Sequence, residues 1–217
     1  MAVIINGNGT ITGLAVGGLP DGCVDTDTLA TNAVTSAKLA SGAGGKILQA
    51  VTTSVATHTA YSFTSAATFL TLYPINTTVT PVATNSKFII TAQVSGEGTQ
   101  SNQVYFLKLI RNVTAGFADG NNVDIAIGDN TGFPNALKAT SAFHGYNADN
   151  ADSTISTAHI NSYIDSPNVS AGGNLQYKVQ LFSQVTSTWY LNRTKTEYNQ
   201  TYGDFLPSYL TVMELAT

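Results

Sequence analysis

Beyond residue 45, apolar residues repeatedly alternate with polar ones, the two-residue period of a β-strand with one buried face. The clearest case is Leu175, Tyr177, Val179 and Leu181, interleaved with Gln176, Lys178 and Gln180. Runs of β-branched and aromatic residues predict further strands over Ile47–Val51, Tyr61–Phe63, Phe69–Leu72 and Phe88–Val94. Val104–Arg111 is apolar on both phases apart from Lys108 and Arg111, which predicts a strand between two layers. Val123–Ile127, Trp189–Leu191 and Tyr209–Leu215 complete the set, with a turn over Gln184–Thr188. Pro74 and Pro81 are assigned to loops or edges, because proline has no N–H to give a ladder. Roughly eight to ten strands with turn signals between them, and no long helix, predict an all-β fold. The expected architecture is a β-sandwich, jelly-roll-like, over residues 46–217.

The first 45 residues follow different patterns. Residues 1–20 place Val3, Ile4 and Ile5 before Asn6-Gly7-Asn8-Gly9, a tight-turn signal, and Ile11 after it, which predicts a β-hairpin. A lone hairpin is marginal in water, so these apolar residues are expected to attach to a larger assembly. Residues 21–45 hold two copies of a ten-residue unit, Cys23–Asn32 and Ala33–Gly42. Val24 recurs as Val34 and Leu29 as Leu39. Asp25, Asp27 and Thr35 are placed to cap short helices here. Two large apolar residues per unit are too few to bury within one chain. The segment is either a flexible Ala/Thr-rich linker or a place where copies of the chain gather about an axis. Gly42, Gly44 and Gly45 mark the boundary to the sandwich.

Composition narrows the function. Of the 217 residues, 10% are charged, against roughly 25% in an average globular protein. Neutral polar residues on outward strand faces explain the deficit, and 10 Tyr and 9 Phe argue against disorder. A net charge of −4 with no Lys/Arg run excludes nucleic acid as the main partner. The single cysteine, Cys23, rules out an intrachain disulfide. No leader pattern and no apolar run near 18 residues occur, so neither export by a signal peptide nor membrane insertion is expected.

Little catalytic chemistry is legible, and no enzymatic activity, metal or cofactor is expected. The carboxylates Glu97, Asp119, Asp124, Asp129, Asp149, Asp152, Asp165, Glu197 and Asp204 fall mostly in turns, where Asp serves the local backbone. His58, His144 and His159 are far apart in sequence and form no zinc pattern, although a site with one His per chain on a symmetry axis stays open. Asp119–Asp124 and Asn147–Asp152 have calcium-like oxygen spacing without the EF-hand glycine and glutamate. Residues 112–158 are the least regular, and long polar loops on a β scaffold are where binding is expected. There, exposed rings beside amides make a sugar-stacking surface, which nominates Asn121, Asn122, Asn130, Phe133, Tyr146, Asn147 and Asp149. The competing reading is that rings such as Phe133, Phe143 and Tyr163 cap the core. Trp189 is expected to be buried.

Two stretches resemble a known family. Gly18-Leu19-Pro20-Asp21-Gly22-Cys23-Val24-Asp25, followed by Leu29-Ala30, Asn32-Ala33-Val34-Thr35 and Ala37-Lys38-Leu39-Ala40, resembles the linker module of bacteriophage tail fibre proteins, particularly from phages of aquatic bacteria and cyanobacteria. Gly45–Gln49, Ser86–Ile90, Tyr177–Gln180, Tyr190–Arg193 and Ser208–Leu215 are similar to strands of the C-terminal domain often found on them. The resemblance implies a homotrimeric structural protein of the virion tail, extracellular after release. Its N-terminal end would attach to tail or baseplate proteins through Val3, Ile4, Ile5 and Ile11. It would trimerise through Val24, Leu29, Val34 and Leu39, and its sandwich would recognise a host polysaccharide or lipopolysaccharide. The usual long shaft is absent, so a trimeric capsid decoration or head fibre is the alternative, and a glycan depolymerase a remote one.

Overall fold

The computed structural model describes residues 4–5, 11–12, 29–31, 33–35, 38, 46–100, 103–117, 121–133, 135–143, 155–195 and 205–216. The chain divides into two compact units, Met1–Gly45 and Lys46–Thr217. In the first, β1 (Ile4–Ile5) pairs antiparallel with β2 (Ile11–Thr12), with Ile5 opposite Ile11. Turns close at Ala30–Ala33 and Thr35–Lys38 through backbone bonds of 2.9 Å each. Val3, Val24 and Leu39 lie outside the described residues. Leu29 and Val34 are described, and both are exposed, at 43% and 49%.

The second unit is a β-sandwich of two antiparallel sheets. One sheet runs β3 (Ile47–Val55), β13 (Ser208–Leu215), β6 (Lys87–Gly98), β10 (Ser156–Asp165). β12 (Ser187–Leu191) and β4 (Thr59–Phe63) extend it beside the far end of β6. The facing sheet runs β5 (Thr68–Val79), β11 (Leu175–Ser183), β7 (Phe106–Asn112), with β8 (Val123–Ile125) and β9 (Ser141–Ala142) sharing the last edge. The first long strand pairs with the last, and the strands between cross from one sheet to the other as a jelly roll requires. The described part of this unit has eleven strands, more than the sequence pattern indicates. β10 lies partly in the stretch read as irregular, and its bulge between Ile160 and Tyr163 breaks the alternation that would have revealed it. Pro74 lies inside β5, an edge strand, where the ladder to β11 skips between Thr71 and Asn76. An edge with an interrupted ladder is where a strand tolerates proline. β7 is central in one sheet rather than enclosed between layers; its outward Lys108 and Ile110 are covered from the same side, Lys108 by Phe69 and Asp124.

Alternate residues point into the sandwich. Phe88, Ile90, Val94, Leu210 and Val212 face Leu72, Leu109, Tyr177, Val179 and Leu181 in one hydrophobic core. At one end of the core Trp189 is 1% exposed, its ring 4.8 Å from Tyr105 and 4.4 Å from Phe143. Gly96 and Gly98 of β6 leave the room for these rings. A Cβ on Gly98 would stand 2.1 Å from the Tyr105 ring, and one on Gly96 would stand 2.6 Å from the indole nitrogen.

Polar groups fix the strand ends. Asn192 holds a left-handed backbone, φ 61°. Its side-chain amide donates to Val55 O at 2.7 Å and Thr57 O at 2.9 Å, and its side-chain oxygen accepts from the Ser208 hydroxyl. The same Ser208 oxygen accepts from Ser95 N at 2.9 Å, so one cluster joins β3, β6, β12 and β13. Across the core, the Asp165 carboxylate accepts from Arg111 Nη1 and from Tyr177 OH, each at 2.7 Å, tying β10 to β7 and β11. Burial, and then the Asp165 charge, push the Tyr177 phenol far above its ordinary range. Glu214 is fully buried and accepts from Val82 N at 2.9 Å, Ala83 N at 3.0 Å, Ser86 Oγ at 2.6 Å and the Gln49 amide. Burial alone would raise its carboxyl, but the bonds from Gln49, Ser86, Val82 and Ala83 outweigh it and hold the group below the ordinary glutamate range.

Two consequences are measurable. Gly98→Ala forces the methyl group into the Tyr105 ring and should destabilise the sandwich by roughly 1–3 kcal/mol, read from urea denaturation. An unchanged midpoint would mean that Tyr105 moves aside at no cost. The charged form of Glu214 stabilises the fold above the ordinary glutamate pKa of about 4.3, and that contribution is lost as pH falls through the lower folded-state value. Glu214→Gln should cost on the order of 2 kcal/mol at pH 7 and flatten the acid side of the stability curve. Parallel curves for the two proteins would refute the role given to the carboxylate.

Candidate functional site

The outward face of the β5–β11–β7 sheet carries the most concentrated binding chemistry. Pairing sets Phe182 of β11 opposite Phe69 of β5 on one side and Phe106 of β7 on the other. The ring centroids are 4.8 Å and 6.2 Å apart, so three phenyl groups cross three strands in one row. In the next row Gln180 pairs with Thr71 and with Lys108. The Lys108 ammonium lies 3.7 Å above the Phe69 ring and 2.8 Å from the Asp124 carboxylate on β8. One cation thus caps an aromatic floor while its charge is compensated.

The loop from Gly128 to Thr140 forms a lip over this floor. Thr140 anchors it: its N–H donates to Leu107 O at 2.8 Å, and its hydroxyl oxygen accepts from Leu109 N at 2.9 Å. Turns follow, with Phe133 N on Asn130 O at 2.8 Å and Ala136 N on Phe133 O at 2.9 Å. Gly132 takes φ 83°, which the tight turn needs. Asp129 accepts from the Thr131 hydroxyl at 2.7 Å and from Thr131 N at 2.9 Å, and these bonds lower its carboxyl pKa. Between lip and floor is an open cleft of about 610 Å³, lined by Phe69, Lys108, Asn130, Asn135, Lys138 and Gln184, with Phe182 and Asp124 in its floor. Further along the same face, Thr71, Tyr73, Asn76, Phe117, Gln176 and Lys178 line a second hollow of about 390 Å³. Gln176 donates toward Thr78 at 3.3 Å and Gln180 toward Thr71 at 3.2 Å, so side-chain amides run along the strand between the two hollows. Phe182 is buried and Lys108 covers the Phe69 ring, so the accessible groups are the amides and hydroxyls of the cleft and the exposed ring of Phe133 on the same loop, which suit a sugar whose hydroxyls take amide bonds and whose CH face stacks on a ring.

The sequence nominated seven binding residues, and the structure places four of them. Asn130 lines the cleft, and Phe133, on the same loop, is 73% exposed. Asn121 is exposed but precedes β8, away from that loop in the chain. Asn122 accepts from Asn112 at 3.1 Å and so serves the local fold. Tyr146, Asn147 and Asp149 lie outside the described residues. Trp189 is buried as expected, and Phe143 belongs to its cluster. Among the described residues no three His, Cys, Asp or Glu gather as a metal site. Each placed carboxylate has a partner: Asp124 with Lys108 in the cleft, Asp129 with Thr131, Asp165 with Arg111, Glu97 with Lys195 N. The His58 ring lies tilted to that of Phe205, centroids 6.1 Å apart, and His159 is exposed on β10.

Phe69, Phe106, Lys108 and Phe182 were not nominated from sequence. A signal was present for Phe182: it falls on the polar phase of β11, after Gln176, Lys178 and Gln180. A large ring out of phase on a well-alternating strand points away from the core.

Comparison with known proteins adds little to this site. No family model matches the chain, and a search of curated proteins finds no match. Among solved structures, the chain is similar to one in the structure of infectious bursal disease virus, Gx strain, with 8% identity and a TM-score of 0.34. The similarity covers 78% of this chain and 36% of that one, so this chain spans about a third of the length of the protein it matches.

Proposed function

We propose that the protein is a structural component of a bacteriophage virion: a short homotrimeric tail fibre that binds a polysaccharide or lipopolysaccharide on the host surface. The observation that carries this reading is the cleft between the Gly128–Thr140 loop and the row of phenyl groups on the outer sheet face. The cleft offers neutral amides and hydroxyls beside the exposed Phe133, and among the described residues that line it the carboxylate of Asp124 is paired with Lys108. Such a surface supports the reading of a site that holds a glycan. The sequence resemblance to tail fibre linkers supplies the virion context, attachment through the N-terminal hairpin and the expectation of three copies. On this reading the protein works on the virion tail and needs no cofactor.

Purified protein should bind a subset of polysaccharides on a microarray of bacterial surface glycans. Phe133→Ala, Asn130→Ala and Lys138→Ala should each weaken that binding about tenfold, equivalent to about 1.4 kcal/mol, with an unchanged far-UV spectrum. Retention of full binding by all three variants would move the receptor site elsewhere. Absence of any glycan binding, with immunogold labelling on the capsid rather than the tail, would replace the reading with a decoration protein. Release of reducing ends from a bound polysaccharide would make it an enzyme.

A further inference from the structure

The two hollows on the outward face of the β5–β11–β7 sheet are built on the same two strands. β5 gives Phe69 to the cleft under the lip, and Thr71, Tyr73 and Asn76 to the smaller hollow. β11 gives Phe182 to the first and Gln176 to the second. Those two residues are six positions apart, about 20 Å along a strand. An exposed ring stands at each end: Phe133 on the lip is 73% exposed, and Tyr73 in the smaller hollow is 65% exposed. Between the hollows, Gln180 is paired with Thr71 on one side and donates toward its hydroxyl oxygen at 3.2 Å. Gln176 donates toward Thr78 Oγ1 at 3.3 Å and toward Asn76 Oδ1 at 3.5 Å. These bonds engage the N–H groups of both half-buried glutamines and hold the side chains in place. Among the described residues, neither glutamine side-chain oxygen accepts a hydrogen bond. The Thr71 hydroxyl, which accepts from Gln180, keeps its own O–H to donate. The outward face of the other sheet aligns hydroxyls and aliphatic groups instead, with Thr52, Thr211 and Thr91 in one row, Ala50, Met213 and Ile89 in the next, and Lys46 and Lys87 at the rim.

We infer that the two hollows are subsites of one site, and that its ligand is a single linear glycan chain lying along β11, with one sugar against Phe133 and another against Tyr73. The inference rests on the glycan-binding reading above and adds to it the length of the ligand and a second set of contacts. A single sugar is shorter than the distance between the hollows and can fill only one of them. An extended peptide is long enough but finds no strand to join. β11 is paired with β5 on one side and β7 on the other, so its backbone is committed and recognition falls to side chains. Those side chains present the glutamine oxygens as acceptors and the Thr71 hydroxyl as a donor. A glycan carries hydroxyls on every unit, each able to donate and accept, and so meets this row wherever it crosses it. Its CH faces suit the rings at the two ends.

The test takes the polysaccharide bound on the glycan microarray, cleaves it by partial acid hydrolysis and separates the fragments by length. Isothermal titration calorimetry then gives the affinity of each fragment for the full-length protein. Affinity should rise by about a hundredfold once a fragment is long enough to reach both rings, and then level off. Tyr73→Ala should abolish that step, so that long fragments bind no better than short ones, with an unchanged urea midpoint. Should that variant unfold, Gln176→Ala should reduce the step in the same way. Affinity independent of length, or a step that survives both substitutions, would make the hollows separate and overturn the inference while leaving the glycan reading in place. Absence of any binding on the microarray would remove that reading and this inference together.

Discussion

A two-layer sandwich buries one face of each sheet and leaves the other face to its surroundings. Everything distinctive about this chain follows from how those two remaining faces are furnished. The inner faces are ordinary: Val, Leu, Ile and Phe meet across the core. The outer faces diverge. One carries rings, amides and paired charges under a turn-rich lip. The other carries hydroxyls and aliphatic groups, with its nearest charges at the rim. Both belong to antiparallel sheets, in which a strand gives alternate side chains to opposite sides. A chain poor in charge can therefore hold two chemically distinct surfaces on a single core.

Those surfaces are only as well defined as the register beneath them, because a one-residue slip would exchange inner and outer residues. Buried polar groups guard against it. Asn192 gathers the ends of β3 and β12 with the start of β13, and a hydrophobic side chain there would leave carbonyls of Val55 and Thr57 without a donor. Asp165 joins the two sheets through Arg111 and Tyr177, and Glu214 pins the turn after β5 to the last strand. A register error would strand these groups unpaired in a poorly solvated interior, at a cost well above that of an imperfect apolar contact. The glycines of β6 act by shape instead, since only a strand without side chains at those points admits Trp189 and Tyr105.

Legibility differed between fold and site. The sandwich could be read because its strands alternate, as in Leu175–Gln180. β10 could not, because its bulge interrupts the pattern. Pro74 was assigned to a loop or an edge, and it lies in the edge strand β5 where the ladder is broken. At the site, loop composition led to Asn130 and Phe133, since Asn and Gly mark turns that reach solvent. It led equally to Asn122, whose amide is used by Asn112 within the fold. Composition cannot separate an amide aimed at solvent from one closing a turn.

Local pattern was enough to tell which side chains of a regular strand share a face, that Ile4–Ile5 and Ile11–Thr12 form a hairpin, and that the class is all-β. These depend on neighbours within a few positions, where the backbone period and turn chemistry act. Which strands lie side by side emerges from the folded domain. It set Phe69, Phe182 and Phe106 in one row, and it set Thr52 beside Thr211, 159 residues away. Strand order follows from how the two sheets close over a common core, a balance of packing over the whole domain that no local stretch of sequence contains.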